Sequence, residues 1–314
     1  MQLLDNIKSS HLFVLARLGR FPRHWTYPVG VLLYALFVPF LGAFCLIPFL
    51  FTAILTGVAS LEGLLTPSSA HGLTLELVLS FLPFYFLVWG WVWIFERRKP
   101  WTIGLESGRW LYKYLRGLLI GVTMFGSVIL LQALFGATII ESDPSTPTGS
   151  AALSSVSIVL IGWIIQGAAE EVLARGFVLP VIGVRWGATA GILLSAFFFT
   201  LLHLLNPGLN GIALLNLTLF GVFAALYALR EGGLWGVFAI HTAWNWAQGN
   251  LFGLPVSGMK AGGTLFNFQS TGPSWFSGGT FGPESGLAVS VILIVACLVV
   301  GFYHRKNRSS MAVT

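Results

Sequence analysis

The chain of 314 residues is 56% hydrophobic and 9% charged, where an ordinary soluble domain carries about 25% charge. That excludes a soluble globular protein and indicates an integral membrane protein with no separate soluble domain. Cys45 and Cys297 both fall in apolar runs, which argues against a disulfide framework or a thiolate metal site, and the formal charge of +6 suggests nucleic acid only until its distribution is read.

In chain order, residues 1–28 carry Lys8, Arg17, Arg20 and Arg23 among Leu12, Phe13, Leu15 and Leu18. This is the pattern of a basic amphipathic segment lying on a membrane surface. It does not read as a cleavable signal, because the apolar run after it is too long and lacks a small-residue cleavage site. Roughly 20 apolar residues span a bilayer as helix, and eight stretches are candidates: 29–59, 73–95, 115–137, 151–174, 187–205, 211–229, 234–252 and 286–303. The expected fold is an all-α polytopic bundle. Residues 29–137 hold three helices, 150–252 a core of four, and 286–314 the last helix and a basic tail. Pro39 and Pro48 should kink the first span.

Orientation follows from lysine and arginine in the short loops. With the N-terminus cytoplasmic, all of the 17 basic residues except Lys260 fall inside, including Arg175 and Arg185 between the fourth and fifth spans. Both termini are therefore expected in the cytoplasm, in a bacterial inner membrane. The positive charge is topological, so nucleic acid is not an expected partner. Two outer loops stand out: the polar stretch 138–150 with Glu141 and Asp143, and the Gly/Ser-rich stretch 253–285, which contains Phe266, Phe268, Trp275, Phe276 and Phe281. A loop of that length without obvious secondary structure is functional or disordered. Its aromatics suggest packing on the bundle.

The chemistry is concentrated in GAAEEVLARGFVLPVIGVRWGATAGILLSAFFFTLLHLLN, residues 167–206. Ionisable groups within a membrane are costly and mark function by default. Glu171 and Arg175 are four apart, with the acid first, which favours an ion pair. Glu170 points about 100° away and has no partner in its own turn. The expected division is a structural Glu171–Arg175 pair and a free Glu170 suited to general acid–base work. His203 lies four residues after Phe199. His241 and Asn245 are another i, i+4 pair, which on its own could be interhelical polar glue.

EExxxR at Glu170, Glu171 and Arg175, FxxxH at Phe199 and His203, and HxxxN at His241 and Asn245 occur in order on successive apolar helices. Together they resemble the CPBP superfamily of intramembrane proteases, which includes CAAX prenyl endopeptidases and Abi-type proteins, over residues 150–252. The resemblance implies a helical bundle with a central site and a membrane-associated protein or peptide as substrate, in contact with the lipid bilayer. It also implies that Glu170 and His203 activate water, while His241 and Asn245 hold the oxyanion or His241 helps bind a metal. Glu170, His203 and His241 would make a hydrolytic zinc site with one open position. A metal-free general base with oxyanion donors is equally allowed. A non-catalytic scaffold or immunity-type protein, and a proton-coupled transporter, stay open as alternatives.

One difficulty is geometric. Glu170 is expected near the cytoplasmic end of its span, whereas His203 lies about 24 Å along a straight helix from residue 187. A shared site then needs a tilted fifth span or a re-entrant segment at 176–190, for which Gly176, Pro180, Gly183 and Gly187 give scope.

Overall fold

The computed structural model describes residues 9–21, 23–57, 69–141, 148–260 and 262–302. Lys8, Asp143 and the basic tail with Arg305, Lys306 and Arg308 lie outside the described residues. In hydrocarbon every backbone N–H and C=O must be bonded within its own segment, so apolar runs of this length become helices. They are α1 (His11–Ala16), α2 (Tyr27–Leu55), α3 (Ala70–Ile94), α4 (Trp110–Leu134), α5 (Leu153–Glu171), α6 (Leu179–Trp186), α7 (Ala188–Leu201), α8 (Gly211–Glu231), α9 (Trp235–Trp246), the one-turn α10 (Ser274–Ser277) and α11 (Leu287–Phe302). Each of the eight apolar stretches contains helix. Among the described residues five helices are long and apolar enough to cross a membrane: Tyr27–Thr52, Ala70–Ile94, Trp110–Leu134, Gly149–Trp186 and Gly211–Glu231. α7 and α11 are apolar but shorter. Large side chains such as Phe40, Phe44, Phe86 and Leu134 are exposed, which is the surface a bilayer covers. The chain is an integral membrane protein.

The fourth span does not end at residue 174. α5 passes through a π-helical stretch, Val172–Val178, directly into α6. The resulting rod, Gly149–Trp186, is 38 residues long, about 57 Å if straight against ~30 Å of hydrocarbon. Protein, not lipid, surrounds its second half, since residues 166–183 are buried throughout. The chain reverses at Gly187, whose φ of +95° suits glycine best. Arg175 is therefore not in a cytoplasmic loop: it is fully buried in the bundle, and the charge count that set the orientation loses one member.

This rod removes the depth difficulty without a re-entrant segment. α7 runs back along α6, so close that a Cβ on Gly191 would lie 2.9 Å from the Leu179 carbonyl oxygen. Glu170 lies 17 residues before Gly187 and His203 lies 16 after it. Both are about 25 Å from the turn by helical rise, and therefore at one level.

α9 is held between α4 and α5 by small residues. Gly117 and Gly121 of α4 face Gly236, Ala239, Ile240 and Ala243 of α9, and a Cβ at Gly121 would sit 2.5 Å from the Ile240 carbonyl oxygen. On the other side, a Cβ at Gly167 of α5 would meet the Thr242 nitrogen at 3.0 Å. Such small-xxx-small contacts are how membrane helices approach closely without a hydrophobic driving force. α8 is bounded by local chemistry: Asn210 Oδ1 accepts from the Ala213 N–H at 2.9 Å, and Gly232 ends the helix in the left-handed region.

Two peripheral expectations change. In the N-terminal segment Leu12, Phe13 and Leu15 of α1 are buried in the bundle rather than facing a membrane, Phe13 against Gly183 of α6, and Ser10 Oγ donates to the Leu229 carbonyl at 2.6 Å, while Leu18 is exposed. The long outer loop is not structureless. Its strand β2 (Phe268–Ser270) pairs antiparallel with β1 (Thr138–Ile140), joining the two outer loops. Phe281 is fully buried, although Phe266 and Trp275 are exposed.

Replacing Gly121 by Ala is expected to destabilise the protein by about 1–3 kcal/mol through overpacking. Gly126→Ala on the same helix, where a Cβ meets nothing within 4 Å, should gain up to ~1 kcal/mol of helix propensity. Thermal unfolding in detergent measures both.

Candidate active site

Three elements deliver the polar groups. α5 ends with Glu170 and Glu171, the turn after α7 carries His203, and α9 carries His241 and Asn245. Each of the two carrier helices is followed by a π-helical stretch, Val172–Val178 and Ala247–Leu251, a feature frequent at functional sites because the wider turn redirects side chains. Glu170, His203, His241 and Asn245 line one cavity of about 450 Å³. All four are buried.

Glu171 is the best-connected group. Its Oε1 accepts from Arg175 Nη1 at 2.8 Å and lies 3.0 Å from His241 Nδ1. Arg175 also donates to the Gly221 carbonyl at 3.2 Å, and its guanidinium lies over the Phe199 ring at 4.6 Å. The expected ion pair is present, but Glu171 is more than its structural half, since it also orients a histidine. A carboxylate only accepts, so the Nδ1 of His241 carries hydrogen.

Glu170 is not without a partner in its own turn. Gln166, four residues earlier, donates to its Oε1 at 2.8 Å, and Asn245 donates to Gln166 Oε1 at 2.9 Å. The other oxygen, Oε2, has no hydrogen-bond partner although it is buried. It lies 3.7 Å from His241 Nε2. Two glutamates and one arginine leave one uncompensated negative charge in a place where an unpaired charge is costly.

His203 is not on a helical face as expected. α7 stops at Leu201, and residues 202–205 are turn. Its Nδ1 still reaches the Phe199 carbonyl at 2.9 Å. That carbonyl can only accept, so Nδ1–H is the tautomer and Nε2 keeps its lone pair. Phe199 ties the motifs together, with its ring against His203 at 4.7 Å and edge-on to His241 at 5.8 Å.

Glu170, His203 and His241, the expected zinc set, share the cavity wall, and among the described residues no three His, Cys, Asp or Glu side chains are already grouped to hold one ion.

Residues 151–247 match the family model for Rce1-like type II CAAX prenyl endopeptidases. This segment is similar to the CPBP/CAAX protease family. The match ends two residues past Asn245 and covers all three motifs of the CAAX-protease core. No curated protein and no solved structure matches the chain. The cavity wall also takes residues from outside that core: Pro39 and Ala43 of α2, Leu77 of α3, and Ser257 and Glu284 of the outer loop.

Sequence reasoning missed Gln166, Asn206, Asn216, Ser257 and Glu284. Gln166 had a legible signal, a polar residue four before Glu170 on the same helical face. The others sit in turns, loops or a separate helix and are joined only by the fold.

Removing Arg175 as Arg175→Met should destabilise by about 3–5 kcal/mol, because Glu171 is left buried and charged. Adding Glu171→Gln to that variant should recover part of the loss in a thermal melt. An additive double mutant would show that the two side chains act independently.

Proposed function

We propose that the chain is an intramembrane endopeptidase of the CAAX-processing type, hydrolysing a peptide bond in a membrane-associated protein. The observation that carries this is the cavity inside the bundle where Glu170 Oε2, without a hydrogen-bond partner, faces the same space as His203 and His241. A water in that space donates one hydrogen to Glu170 Oε2, and His203 Nε2 accepts the other. Its oxygen attacks the scissile carbonyl carbon, forming the C–O bond as Glu170 takes the proton. His241, whose Nδ1–H is held by Glu171, can donate from Nε2 only as the imidazolium, and in that form it and the second Nδ2 hydrogen of Asn245 stabilise the oxyanion. The carbonyl then re-forms, the C–N bond breaks, and Glu170 returns its proton to the leaving amine.

Gln166 is a positioning residue in this scheme, since it aims Glu170 and Asn245 through one amide. No step of this scheme passes through a metal, so cleavage should persist in chelator. Loss of activity restored by zinc would instead favour the metal reading of Glu170, His203 and His241. The termini are read as cytoplasmic, with Arg175 removed from the charge tally.

The test compares membranes carrying wild type with membranes carrying Glu170→Gln at matched expression, reading protein termini by mass spectrometry. General-base loss should lower cleavage about 10²–10⁴-fold, with the variant's thermal melt unchanged. Termini that are identical in both would leave the fold as a non-catalytic scaffold.

A further inference from the structure

We infer that Glu284 forms a second subsite of the same cavity, one that binds a basic side chain of the peptide substrate. This rests on the protease reading above. Glu284 is more than nine-tenths buried and lines the cavity with Asn206, Asn216 and Ser257. Its Oε2 accepts from the Ser257 N–H at 2.7 Å and from Ser257 Oγ at 2.9 Å. No hydrogen bond reaches its Oε1, and no basic side chain pairs with it among the described residues. Lys260, in the same loop, is exposed.

The carboxylate is held in place rather than merely tolerated. Asn216 of α8 donates to the Glu284 carbonyl at 2.8 Å and to the Gly286 carbonyl at 2.9 Å, and Ser290 Oγ of α11 donates to Asn216 Oδ1 at 2.6 Å. Two apolar helices thus fix the backbone that carries it. A buried carboxylate with neutral donors and no cation is costly, and one aimed into a cavity is neutralised when a cation enters. Lysine ammonium and arginine guanidinium both satisfy that requirement.

The subsite adjoins the reacting groups. The Asn206 N–H donates to the His203 carbonyl at 3.0 Å, and its side chain donates to the Ser257 carbonyl at 3.2 Å. His203, Asn206, Ser257 and Glu284 therefore form a continuous strip of wall. An extended peptide whose scissile carbonyl sits by Glu170 lays a neighbouring residue against Glu284. A fixed position beside the cleaved bond should then favour Lys or Arg.

The experiment uses the full-length protein in lipid nanodiscs with a proteome-derived peptide library, reading residue frequencies around new termini by mass spectrometry. Wild type should enrich Lys or Arg at one position, and Glu284→Gln, which keeps an acceptor for Ser257, should abolish that enrichment. A single cleaved peptide and its norleucine analogue at that position complete the cycle. Glu284→Gln should lower kcat/KM about tenfold or more for the basic peptide and leave the norleucine peptide unchanged. Enrichment retained in Glu284→Gln, no basic preference in wild type, or equal losses on both peptides would overturn the inference. No cleavage dependent on Glu170 would overturn the protease reading itself, and this inference with it.

Discussion

One carboxylate oxygen, Glu171 Oε1, holds both Arg175 and His241, and Glu171 and Arg175 are fully buried. Removing a charged group from water is expensive, and the geometry must return that energy through hydrogen bonds. Here it does so by joining α5 to the π-helical stretch that follows and to α9. The guanidinium is further fixed by the Gly221 carbonyl and the Phe199 ring. The orientation of His241 and the packing of the Phe199 ring both depend on this one anchor.

The glycines make that anchor geometrically accessible. α9 can approach the two glutamates only because Gly117, Gly121 and Gly167 let its neighbours' backbones come close. The hairpin of α6 and α7 is tight for the same reason, with Gly191 against Gly183 and Leu179. Polar chemistry and small-residue packing are thus one design. The carboxylates demand partners, and the close approach of the helices supplies them.

The cavity is asymmetric in origin. Its Glu170 and His203 come from the segment that matches the CAAX-protease family, while α2, α3 and the loop 253–285 supply further lining residues. The loop is tied to the outer strand pair and to α8 and α11, which makes its polar groups rigid enough to discriminate.

Composition and periodicity by themselves determined the membrane class, the helical content, the places where apolar helices would form and the three motifs that bear chemistry. These follow from local rules: backbone satisfaction in hydrocarbon, the i, i+4 neighbour relation and the cost of intramembrane charge. Helix continuity was not legible, because Arg175 within an apolar sequence looks like a loop residue until Glu171, Gly221 and Phe199 are seen around it. Nor was the partner of Glu170, although Gln166 stood at the right spacing, since several polar residues share such spacings and only packing selects one. The level match of Glu170 and His203 and the meeting of Ser257, Asn216 and Glu284 arise from contacts between residues distant in sequence, and only the tertiary structure decides those.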